Sequence, residues 1–554
     1  MPQAADLVVT NARILTMDDD NPHAEAIALK DGRIAALGLA SEIEAWIGPQ
    51  TQIIDAKGGS VLPGFIESHL HLFMGAAELV HLQLFGVKGF DALKEKVTAY
   101  AAARPDDRVL FGQGCDYTIM DGRSPTRHDL DRIVSDRPLA LVAPDHHTMW
   151  ANTRALELAG ILHGKTVNPG NEVVMGDDGL ATGELREGEA MTPVSHLAGP
   201  SRVRLGIQTG GEPPERPSPA EWEADKEIMR RGLAYAASHG ITSFHNMDGN
   251  LYQLEILSEI EKEGGLLCRA QVPFHYKAPM TLAHLEKASA MAERYAGDWI
   301  KSGMVKVFMD GVLDSGTAYM VEPYGDDPDW RGEPYFSSEE FAELATEIDA
   351  RGLQIAVHAI GDGAVRSVLD GYQEAARING ARDSRHRIEH IEVTTDADMP
   401  RFAQLGVIAS MQPPHPPGSM GLPMEPTVSK IGRDRWRLAY AWRTIKETGA
   451  HVVFASDWPV SPVDPIAGIQ AAVVRKPWAD DLPDQSFSLH EAIAGYTVEG
   501  AYAEFAEDRK GALKPGYLAD LVVLSGDVEA AALQKLHEVR PLWTICGGRI
   551  TYQA

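Results

Sequence analysis

The sequence predicts an α/β protein: a (β/α)8 barrel of the TIM type, with a composite β-sandwich built from both termini and a large insertion after the first barrel strand. Three observations lead to this fold class. Eight short apolar runs in the middle of the chain are each followed by a stretch suited to a helix. Strand-like segments stand at both ends of the chain, and the interval after the first apolar run is far longer than the others. Eight units of strand and helix are the number that closes such a barrel.

The two ends of the chain are both rich in short strands. Near the amino end these are LVVTNARIL, EAIALKDGRIAALG and TQIIDAKGG, and the pair Asp31 and Gly32 marks a hairpin turn. Near the carboxyl end, LADLVVLSG and WTICGGRITYQ supply similar material. Because short strands need a partner sheet, we predict that residues 1–60 and 512–554 form one composite β-sandwich.

Residues 61–511 are predicted to form the barrel. Most intervals between consecutive apolar runs suit a βα unit of about thirty residues. The runs that supply the predicted strands are VLPGFIESHLH (61–71), ITSFHNM (241–247), RAQVPFHY (269–276), MVKVFMDG (304–311), LQIAVHAIG (353–361), HRIEHIE (386–392), GVIASMQP (406–413) and HVVFASDWP (451–459).

The long first interval, at about residues 75–235, is predicted to be an insertion. It contains the strand-like pieces RVLFGQG (108–114) and PLALVAPDHH (138–147). The tract GGEPPERPSPAEWEAD (210–225) is typical of a loop that leads to a helix near Ala220. A cap over the barrel mouth and a passive surface elaboration both fit this pattern.

Composition and charge exclude several classes of protein. In 554 residues, 51 Lys and Arg stand against 79 Asp and Glu, a formal charge of -28, so we expect no nucleic-acid partner. No long apolar run and no secretory pattern is found, so we expect a cytoplasmic protein without membrane association. Cys115, Cys268 and Cys546 lie far apart, which predicts neither a disulfide framework nor a thiolate zinc site. Any metal must therefore be bound by His, Asp, Glu or Lys.

His69 and His71 close the first apolar run. Two residues apart on a strand, their imidazoles leave the same face and can share one cation. Such a pair also arises by chance on partly buried strands. Its position argues for function, because the carboxyl ends of the strands carry the chemistry in this fold.

The same criterion selects Lys306, His358, His390 and Asp457, which lie within or at the ends of later runs. In MVKVFMD, strand alternation turns Lys306 and Phe308 toward the barrel axis, where a lone ammonium is costly to bury. His358 and Asp457 fall on the inner faces of their strands by the same reasoning.

The run HRIEHIE fits this alternation less simply. If His386, Ile388 and His390 point inward, Arg387 and Glu389 must be accommodated on the helix side, where they would pair.

Each selected side chain has a structural alternative: a satisfied core histidine, a salt-bridged lysine, or an aspartate that caps the next helix. One shared metal centre explains all of them together. Imidazoles and carboxylates suit zinc, our first choice, and also iron, manganese or nickel. The ammonium of Lys306 would repel a cation, so this residue is either a remote counter-charge or a ligand converted by carbon dioxide into a bridging carbamate.

Several motifs match those of one known family: LPGFIESHLH (62–71), KVFMDGVLDSGTA (306–318), VHAIGD (357–362), RIEH (387–390), SDWP (456–459) and GALKPGYLADLVVL (511–524). With these motifs the chain resembles the amidohydrolase superfamily, and within it the family 3 branch of YtcJ-like proteins and N-substituted formamide deformylases. The resemblance spans nearly the whole chain and implies both the composite β-sandwich and the insertion. In the insertion, HHTMWANTRAL (146–156) looks like the branch's His-x-x-Trp-x-Asn pattern.

The resemblance implies two divalent metal ions held by one set of side chains. It assigns His69 and His71 to one ion, His358 and His390 to the second, Lys306 as the carbamylated bridge, and Asp457 as both a ligand and the general acid/base.

Two positions depart from the family pattern. Glu67 stands where Asp is usual, which affects a contact behind the metal ligands, and His146 replaces a usual Gly beside His147. The shape of the pocket wall near His147 is therefore not implied by the resemblance.

The expected reaction is hydrolysis of a carbon–nitrogen amide bond in a small molecule. Metal coordination lowers the pKa of bound water to about 7 and so supplies hydroxide near neutral pH. Asp457 takes the proton of this water and delivers it to the departing nitrogen, while a metal and His147 stabilise the oxyanion. The family also suggests a homodimer.

Aromatic and thioether side chains adjoin the proposed ligands in sequence and predict an apolar substrate pocket, with core packing as the alternative role. A neutral, partly hydrophobic N-substituted amide or formamide fits this lining and the resemblance. These side chains are Phe73, Met74, Trp150, Phe308, Tyr319 and Trp458.

Other functions on the same fold stay open at this point. A lactonase, a phosphoesterase or an aminohydrolase acting on a ring would keep the metals and change the reaction. A non-catalytic regulatory protein would keep only the barrel, and the intact set of predicted ligands argues against it.

Overall fold

The computed structural model describes residues 4–168, 170–198, 210–277 and 280–554. Each of the eight predicted runs contains a strand. The elements follow the chain as β1 (Leu7–Thr10), β2 (Arg13–Leu15), β3 (His23–Ala24), β4 (Ala26–Lys30), β5 (Arg33–Gly38), α1 (Ala40–Ile43), β6 (Gln52–Asp55), β7 (Ser60–Pro63), β8 (Phe65–Leu70), α2 (Leu72–Glu78), β9 (Leu82–Gln83), α3 (Phe90–Ala103), β10 (Leu110–Gln113), α4 (Arg127–Asp131), β11 (Leu139–Val142), β12 (Thr148–Ala151), α5 (Thr153–Leu158), β13 (Glu172–Met175), β14 (Ala181–Arg186) and α6 (Glu187–Ser195).

The remaining elements build the larger part of the molecule. They are α7 (Pro219–Ser238), β15 (Ile241–Asn246), α8 (Leu251–Lys262), β16 (Arg269–Gln271), β17 (Phe274–His275), α9 (Leu285–Arg294), β18 (Ile300–Lys301), β19 (Met304–Phe308), α10 (Ser338–Ala350), β20 (Gln354–Ala359), α11 (Asp362–Asn379), β21 (Arg387–His390), α12 (Met399–Leu405), β22 (Ile408–Met411), α13 (Thr427–Ile431), α14 (Trp442–Glu447), β23 (Val452–Phe454), α15 (Pro465–Val474), α16 (Leu489–Gly495), α17 (Val498–Ala503), β24 (Leu521–Leu524), β25 (Pro541–Cys546) and β26 (Arg549–Gln553). Short 3-10 helices span Glu44–Trp46, His196–Ala198, Leu282–His284, Ser419–Gly421, Arg433–Leu438 and Leu533–Glu538.

Strands from the two termini share a sheet. Its order is β26-β25-β24-β7-β2-β3, in which β24 pairs antiparallel with β7, and a second sheet has the order β5-β4-β1-β6. The two sheets bury one apolar core between them, to which Leu7 of β1 and Leu521 of β24 both contribute. The turn between β4 and β5 contains Asp31 and Gly32 with φ of 50° and 75°, as the hairpin prediction requires. This pairing supports the composite domain proposed for the two ends of the chain.

Parallel strands in chain order form the centre of the protein. One sheet has the order β18-β16-β15-β8 and the other β17-β19-β20-β21-β22-β23, and every pair within them is parallel. The strands thus belong to two sheets instead of the single closed sheet that was predicted. Pro273 lies between β16 and β17 and lacks the amide hydrogen that a continuous strand would donate, which explains one break.

The first and last parallel strands meet where the chemistry was predicted. Leu70 and Trp458 form a parallel bridge. The Asp457 amide donates to the His69 carbonyl at 2.9 Å, and the His71 amide donates to the Trp458 carbonyl at 2.8 Å. These hydrogen bonds hold the loop after β23 against the end of β8.

The first predicted run divides between two sheets. Its β7 half joins the terminal sheet and its β8 half joins the parallel strands, with Gly64 between them. A Cβ atom at Gly64 would lie 2.2 Å from the Thr242 side chain, so a residue with a side chain would push β8 away from β15. The close approach requires glycine at this junction.

The insertion after β8 has its own sheet, in the order β13-β14-β12-β11-β10-β9. Alternation along β11 separates two cores: Leu139 and Leu141 enter one, and Ala140 and Val142 enter the other. Residues 199–209 of the predicted insertion lie outside the described residues.

Helices α7 and α10 start at side-chain caps. Before α7, the Ser218 hydroxyl accepts the Glu221 amide and the Glu221 carboxylate accepts the Ser218 amide, which satisfies the exposed donors of the first turn. Ser337 and Glu340 form the same arrangement at α10. The predicted start near Ala220 is therefore confirmed. Among the residues described, no helix is long and apolar enough to cross a bilayer.

A buried ion pair joins the parallel strands to the terminal sheet. Arg269 of β16 donates from Nε and Nη2 to both carboxylate oxygens of Asp520, at 2.7 and 3.0 Å. Each side chain is 5% exposed. Asp520 also accepts the Gly547 amide at 2.7 Å. Its carboxylate therefore joins the start of β24 both to β16 and to the turn between β25 and β26.

Replacing Asp520 with Asn should destabilise the fold, because a buried guanidinium would lose its counter-charge. Breaking one partner of such a pair costs about 3–5 kcal/mol. Scanning calorimetry should show a clearly lower unfolding temperature than for Asp298→Asn, which breaks only the exposed pair with Arg509. Equal unfolding temperatures for the two variants would show that the buried pair does not hold the sheets together.

Candidate metal centre

Three predicted ligands converge at the carboxyl ends of the parallel strands. Donor atoms of His69, His390 and Asp457 all lie within 4.8 Å of one another, and all three residues are buried. Asp457 Oδ1 is 3.2 Å from His69 Nε2 and 2.9 Å from His71 Nε2. The predicted pair of histidines therefore shares one carboxylate oxygen.

The local backbone directs Asp457 to this point. Its φ is 60°, which is uncommon for a residue with a side chain and is typical of strained functional positions. The preceding Ser456 amide donates to Glu67 Oε1 at 2.6 Å, so the Glu that replaces the family's usual Asp still supports this loop. Burial alone would raise the pKa of Asp457, but the neighbouring imidazoles of His69, His71 and His390 hold it well below its usual value.

Carboxylates behind the first two histidines fix their orientation. His69 Nδ1 donates to Glu389 Oε2 at 2.6 Å, and His71 Nδ1 donates to Asp248. Each imidazole therefore carries its proton on Nδ1 and turns Nε2 toward Asp457. Arg387 donates to both oxygens of Glu389, at 2.5 and 3.0 Å, and neutralises its buried charge.

The predicted alternation of β21 is wrong. His386 points outward, where its Nε2 contacts Asp349 of α10 at 3.1 Å, whereas Arg387 and Glu389 lie inside against the end of β8. His390 has a φ of 79°, which interrupts the strand geometry and lets its side chain reach the centre together with Glu389. Arg387 and Glu389 pair as expected, but on the opposite side of the strand.

His358 joins the cluster through His390. The two rings lie 4.5 Å apart, and His390 is 4.9 Å from His69, centre to centre. His358 Nε2 donates to the Gly311 carbonyl at 3.0 Å, and His390 Nδ1 donates to Gln412 Oε1 at 3.0 Å. Burial and neighbouring positive charges lower the pKa of both histidines well below the usual value, which favours the neutral form that binds metals.

Lys306 is fully buried beside this cluster. Its Nζ has no hydrogen-bond partner among the described residues and lies 4.9 Å from the centre of the Phe308 ring. Burial lowers the pKa of this amine to about 8, although Glu389 and Asp457 oppose the shift. A buried amine without a partner is costly, so its environment is incomplete without a further group.

The donor set fits a divalent metal ion. Within the described part of the chain, His69 Nε2, Asp457 Oδ1 and Lys306 Nζ are buried without hydrogen-bond partners. Imidazole nitrogen and carboxylate oxygen are the ligands preferred by zinc and its neighbours. The structure thus brings His69, His71 and Asp457 into direct contact and places His390 and His358 next to them.

Sequence reasoning missed the residues that support these ligands. Asp248 and Gln412 follow β15 and β22, so the rule that selects strand ends could have found both. Glu389 is missed because the predicted alternation of β21 turns its side chain toward the helices. His415 lies in a Pro-rich loop, stacks on His390 at 6.1 Å, and places Nε2 4.0 Å from Asp457 Oδ2, and no strand pattern indicates it.

A cavity of about 1100 Å³ opens onto the cluster. One wall is the ends of the parallel strands, and the other belongs to the insertion, including Phe111, Met149 and His147. The position of the insertion therefore favours a cap over a passive surface elaboration.

His147, predicted to help stabilise the oxyanion, lies in this wall. Its Nδ1 donates to Glu187 Oε2 at 2.9 Å. Burial opposes the charged form, but Glu187 and Asp145 outweigh it and raise the pKa of His147 to about 9. The adjacent His146 also lines the cavity, and burial together with the charges of His71 and His147 lowers its pKa to about 4.

The predicted substrate-binding aromatics need correction. Phe308 and Met74 line the cavity, but Phe73, Trp150 and Trp458 do not, and neither does Tyr319. Phe73 and Trp150 are fully buried in apolar cores. Adjacency in sequence to a ligand failed as a criterion because neighbouring side chains leave a strand or helix in different directions.

A family model and full-length relatives indicate the same family for this chain. A model described as the amidohydrolase family matches residues 52–552. The putative amidohydrolase YtcJ of Bacillus subtilis is 28% identical over 98% of this chain and 98% of its own length. The N-substituted formamide deformylase of Arthrobacter pascens is 26% identical over 100% of this chain and 99% of its own. Protein LONG AFTER FAR-RED 3 of Arabidopsis thaliana is 29% identical over 94% of this chain and 87% of its own.

A solved structure supports the same fold. An uncharacterized metal-dependent hydrolase from Pyrococcus horikoshii superposes with a TM-score of 0.68 and 25% sequence identity, covering 93% of this chain and 96% of its own. Together with the family match, this similarity implies an α/β fold of the TIM-barrel type.

Proposed function

We propose that this chain, which belongs to the amidohydrolase family, hydrolyses a carbon–nitrogen amide bond in a neutral N-substituted amide or formamide. It is a metal-dependent hydrolase. The observation that carries the proposal is the convergence of His69, His390 and Asp457 within 4.8 Å at the floor of a cavity of about 1100 Å³.

Six residues would hold the metal. When bound, the metal ions would polarise the scissile carbonyl and make water acidic enough to attack near neutral pH. Zinc is our first choice because the donors are imidazoles and carboxylates. In this proposal His69 and His71 hold one ion, His358 and His390 hold a second, and Lys306 and Asp457 complete the set.

Lys306 fits the role of a bridge once it has reacted with carbon dioxide. The amine nitrogen forms a bond to the carbon of carbon dioxide and loses one proton to solvent, which yields an anionic carbamate. This reaction replaces a buried amine that has no partner among the described residues with a carboxylate-like group. Two metal ions would then compensate its negative charge.

Asp457 would transfer protons, and His147 would donate a hydrogen bond to the substrate. Asp457 lies at the cavity floor beside His69 and His71, where its carboxylate can take the proton of the attacking water and return it to the departing nitrogen. His147 faces the floor from the cap and can donate a hydrogen bond to the carbonyl oxygen as negative charge develops there.

The cavity lining favours a neutral substrate. Apolar side chains such as Met74, Val312 and Leu313 are mixed with carboxylates, while Arg231 is the single lysine or arginine among the described lining residues. A relative over the full chain length is named an N-substituted formamide deformylase, which supports the amide or formamide class.

A substrate panel tests the reaction. The zinc-loaded protein and its Asp457→Asn variant should be assayed with N-benzylformamide and other N-substituted amides, lactones and phosphoesters. We expect amide turnover in the parent and a loss of at least about 100-fold in the variant, because the general acid/base is removed. Asp480→Asn, a change of an exposed aspartate, serves as the matched control.

Other results would contradict the proposal in different ways. Exclusive lactone or phosphoester turnover would replace the amide assignment, and full activity of Asp457→Asn would remove this residue as the acid/base. No turnover of any substrate at full metal occupancy would favour a non-catalytic binding protein.

Replacing Lys306 with Ala should lower both the bound metal per chain and the activity, because the bridge is lost. Short-chain carboxylic acids should restore part of both by occupying the emptied position. Metal is measured by inductively coupled plasma mass spectrometry, with Lys301→Ala, which alters a lysine of the nearby β18, as the control. Unchanged metal content in Lys306→Ala would show that the lysine is not a ligand.

A further inference from the structure

Glu187 and His147 form a pair in the cap, where β14 ends and β12 begins. β12 and β14 run antiparallel, and the pairing of Thr148 with Arg186 brings the next residues together. The Glu187 amide donates to the His147 carbonyl at 2.8 Å, and His147 Nδ1 donates to Glu187 Oε2 at 2.9 Å. One backbone hydrogen bond and one side-chain hydrogen bond thus join the same two residues.

Contacts from other elements hold this pair in place. The His147 amide donates to Asp145 Oδ1 at 3.0 Å, and the Tyr117 hydroxyl donates to Asp145 Oδ2 at 2.9 Å. Thr317, in the loop after β19, donates to Glu187 Oε1 at 3.2 Å. Because β19 carries Lys306, Glu187 connects the cap to a strand that supplies the metal centre.

The hydrogen bond leaves one nitrogen of His147 for the cavity. Nδ1 is engaged by Glu187, and none of the described residues forms a hydrogen bond with Nε2, although the side chain lines the cavity. Glu187 also lines the cavity, with a side chain 14% exposed, and its φ of 64° is uncommon for a residue with a side chain. A strained backbone at a cavity wall is typical of a functional position.

We propose that Glu187 is a positioning residue that orients His147, so that His147 Nε2 donates a hydrogen bond to the substrate carbonyl oxygen in the amide hydrolysis proposed above. The carboxylate keeps the Nδ1 proton in place and stabilises the imidazolium. No bond is made or broken by Glu187 itself. His147 of the cap would thus contact the substrate, whereas the ends of the parallel strands would supply the metal ligands.

Charges around His147 agree with this role. Burial opposes the imidazolium of His147, while Glu187, Asp145 and Asp457 favour it, and its positive charge lowers the pKa of the nearby His146 and His358. The balance raises the pKa of His147 to about 9, so that Nε2 carries a hydrogen at neutral pH. The charged form is present below that pH and is lost as the pH rises through it.

The test compares Glu187→Gln with Glu189→Gln in the zinc-loaded, full-length protein. Glu189 lies on the same helix, and its carboxylate accepts the Asn168 amide instead of contacting His147. For Glu187→Gln we expect kcat to fall at least about tenfold with little change in KM, because an oxyanion donor loses its orientation. The kcat of Glu189→Gln should equal that of the parent.

A second readout does not depend on turnover. In long-range ¹H–¹⁵N spectra of protein labelled with [¹⁵N]histidine, the signal missing from His147→Gln identifies this ring. Its pKa should fall by at least about one unit in Glu187→Gln, because the adjacent carboxylate is removed. Glu187→Asp, whose shorter side chain cannot reach Nδ1, should shift it in the same direction and serves if Glu187→Gln fails to fold.

The outcomes separate this inference from the proposed function. If the His147 pKa and kcat of Glu187→Gln match those of Glu189→Gln, the positioning role is overturned. If the parent protein cleaves no amide, the proposed reaction fails, and the spectra alone decide whether Glu187 controls His147. An altered His147 pKa together with reduced kcat and unchanged metal content supports the inference.

Discussion

A buried carboxylate surrounded by imidazoles is the interaction on which the site depends. The Asp457 side chain is 7% exposed and touches His69 and His71, with His390 at 3.8 Å. Two backbone hydrogen bonds between the loop after β23 and the end of β8 leave it little freedom to move away. Burying these polar groups is costly unless they are compensated, and a divalent cation is the compensation that their donor atoms offer.

The side chains behind the imidazoles reduce the cost of burying these polar groups. Glu389, Asp248 and Gln412 each accept a hydrogen bond from Nδ1 of one imidazole, so Nε2 is the nitrogen that each ring can offer to a metal. Arg387 then balances Glu389 and also donates to the Ser68 carbonyl at 2.6 Å, which links β21 to β8. Such a network orients the ligands before a metal binds, because each ring already has its tautomer fixed.

The sequence predicts the strands, and the side chains that gather around Asp457, better than the directions of their neighbours. The eight apolar runs and the residues at their ends were found because period and strand-end position are local properties of the chain. The face of β21 could not be predicted, because the positive φ of His390 changes the alternation and no sequence pattern shows it. Phe73 and Trp150 failed as pocket residues because only the packing of other elements decides whether an aromatic side chain faces a cavity or a core.

We infer that the side chains around Asp457 bind metal ions, which activate water. Anomalous diffraction from crystals of the zinc-loaded protein, recorded on both sides of the zinc absorption edge, tests this claim directly. We expect anomalous peaks at coordination distance, about 2.0–2.2 Å, from His69 Nε2 and from an oxygen of Asp457. Full zinc occupancy elsewhere, with the His69 and Asp457 side chains still in contact and no peak between them, would contradict it.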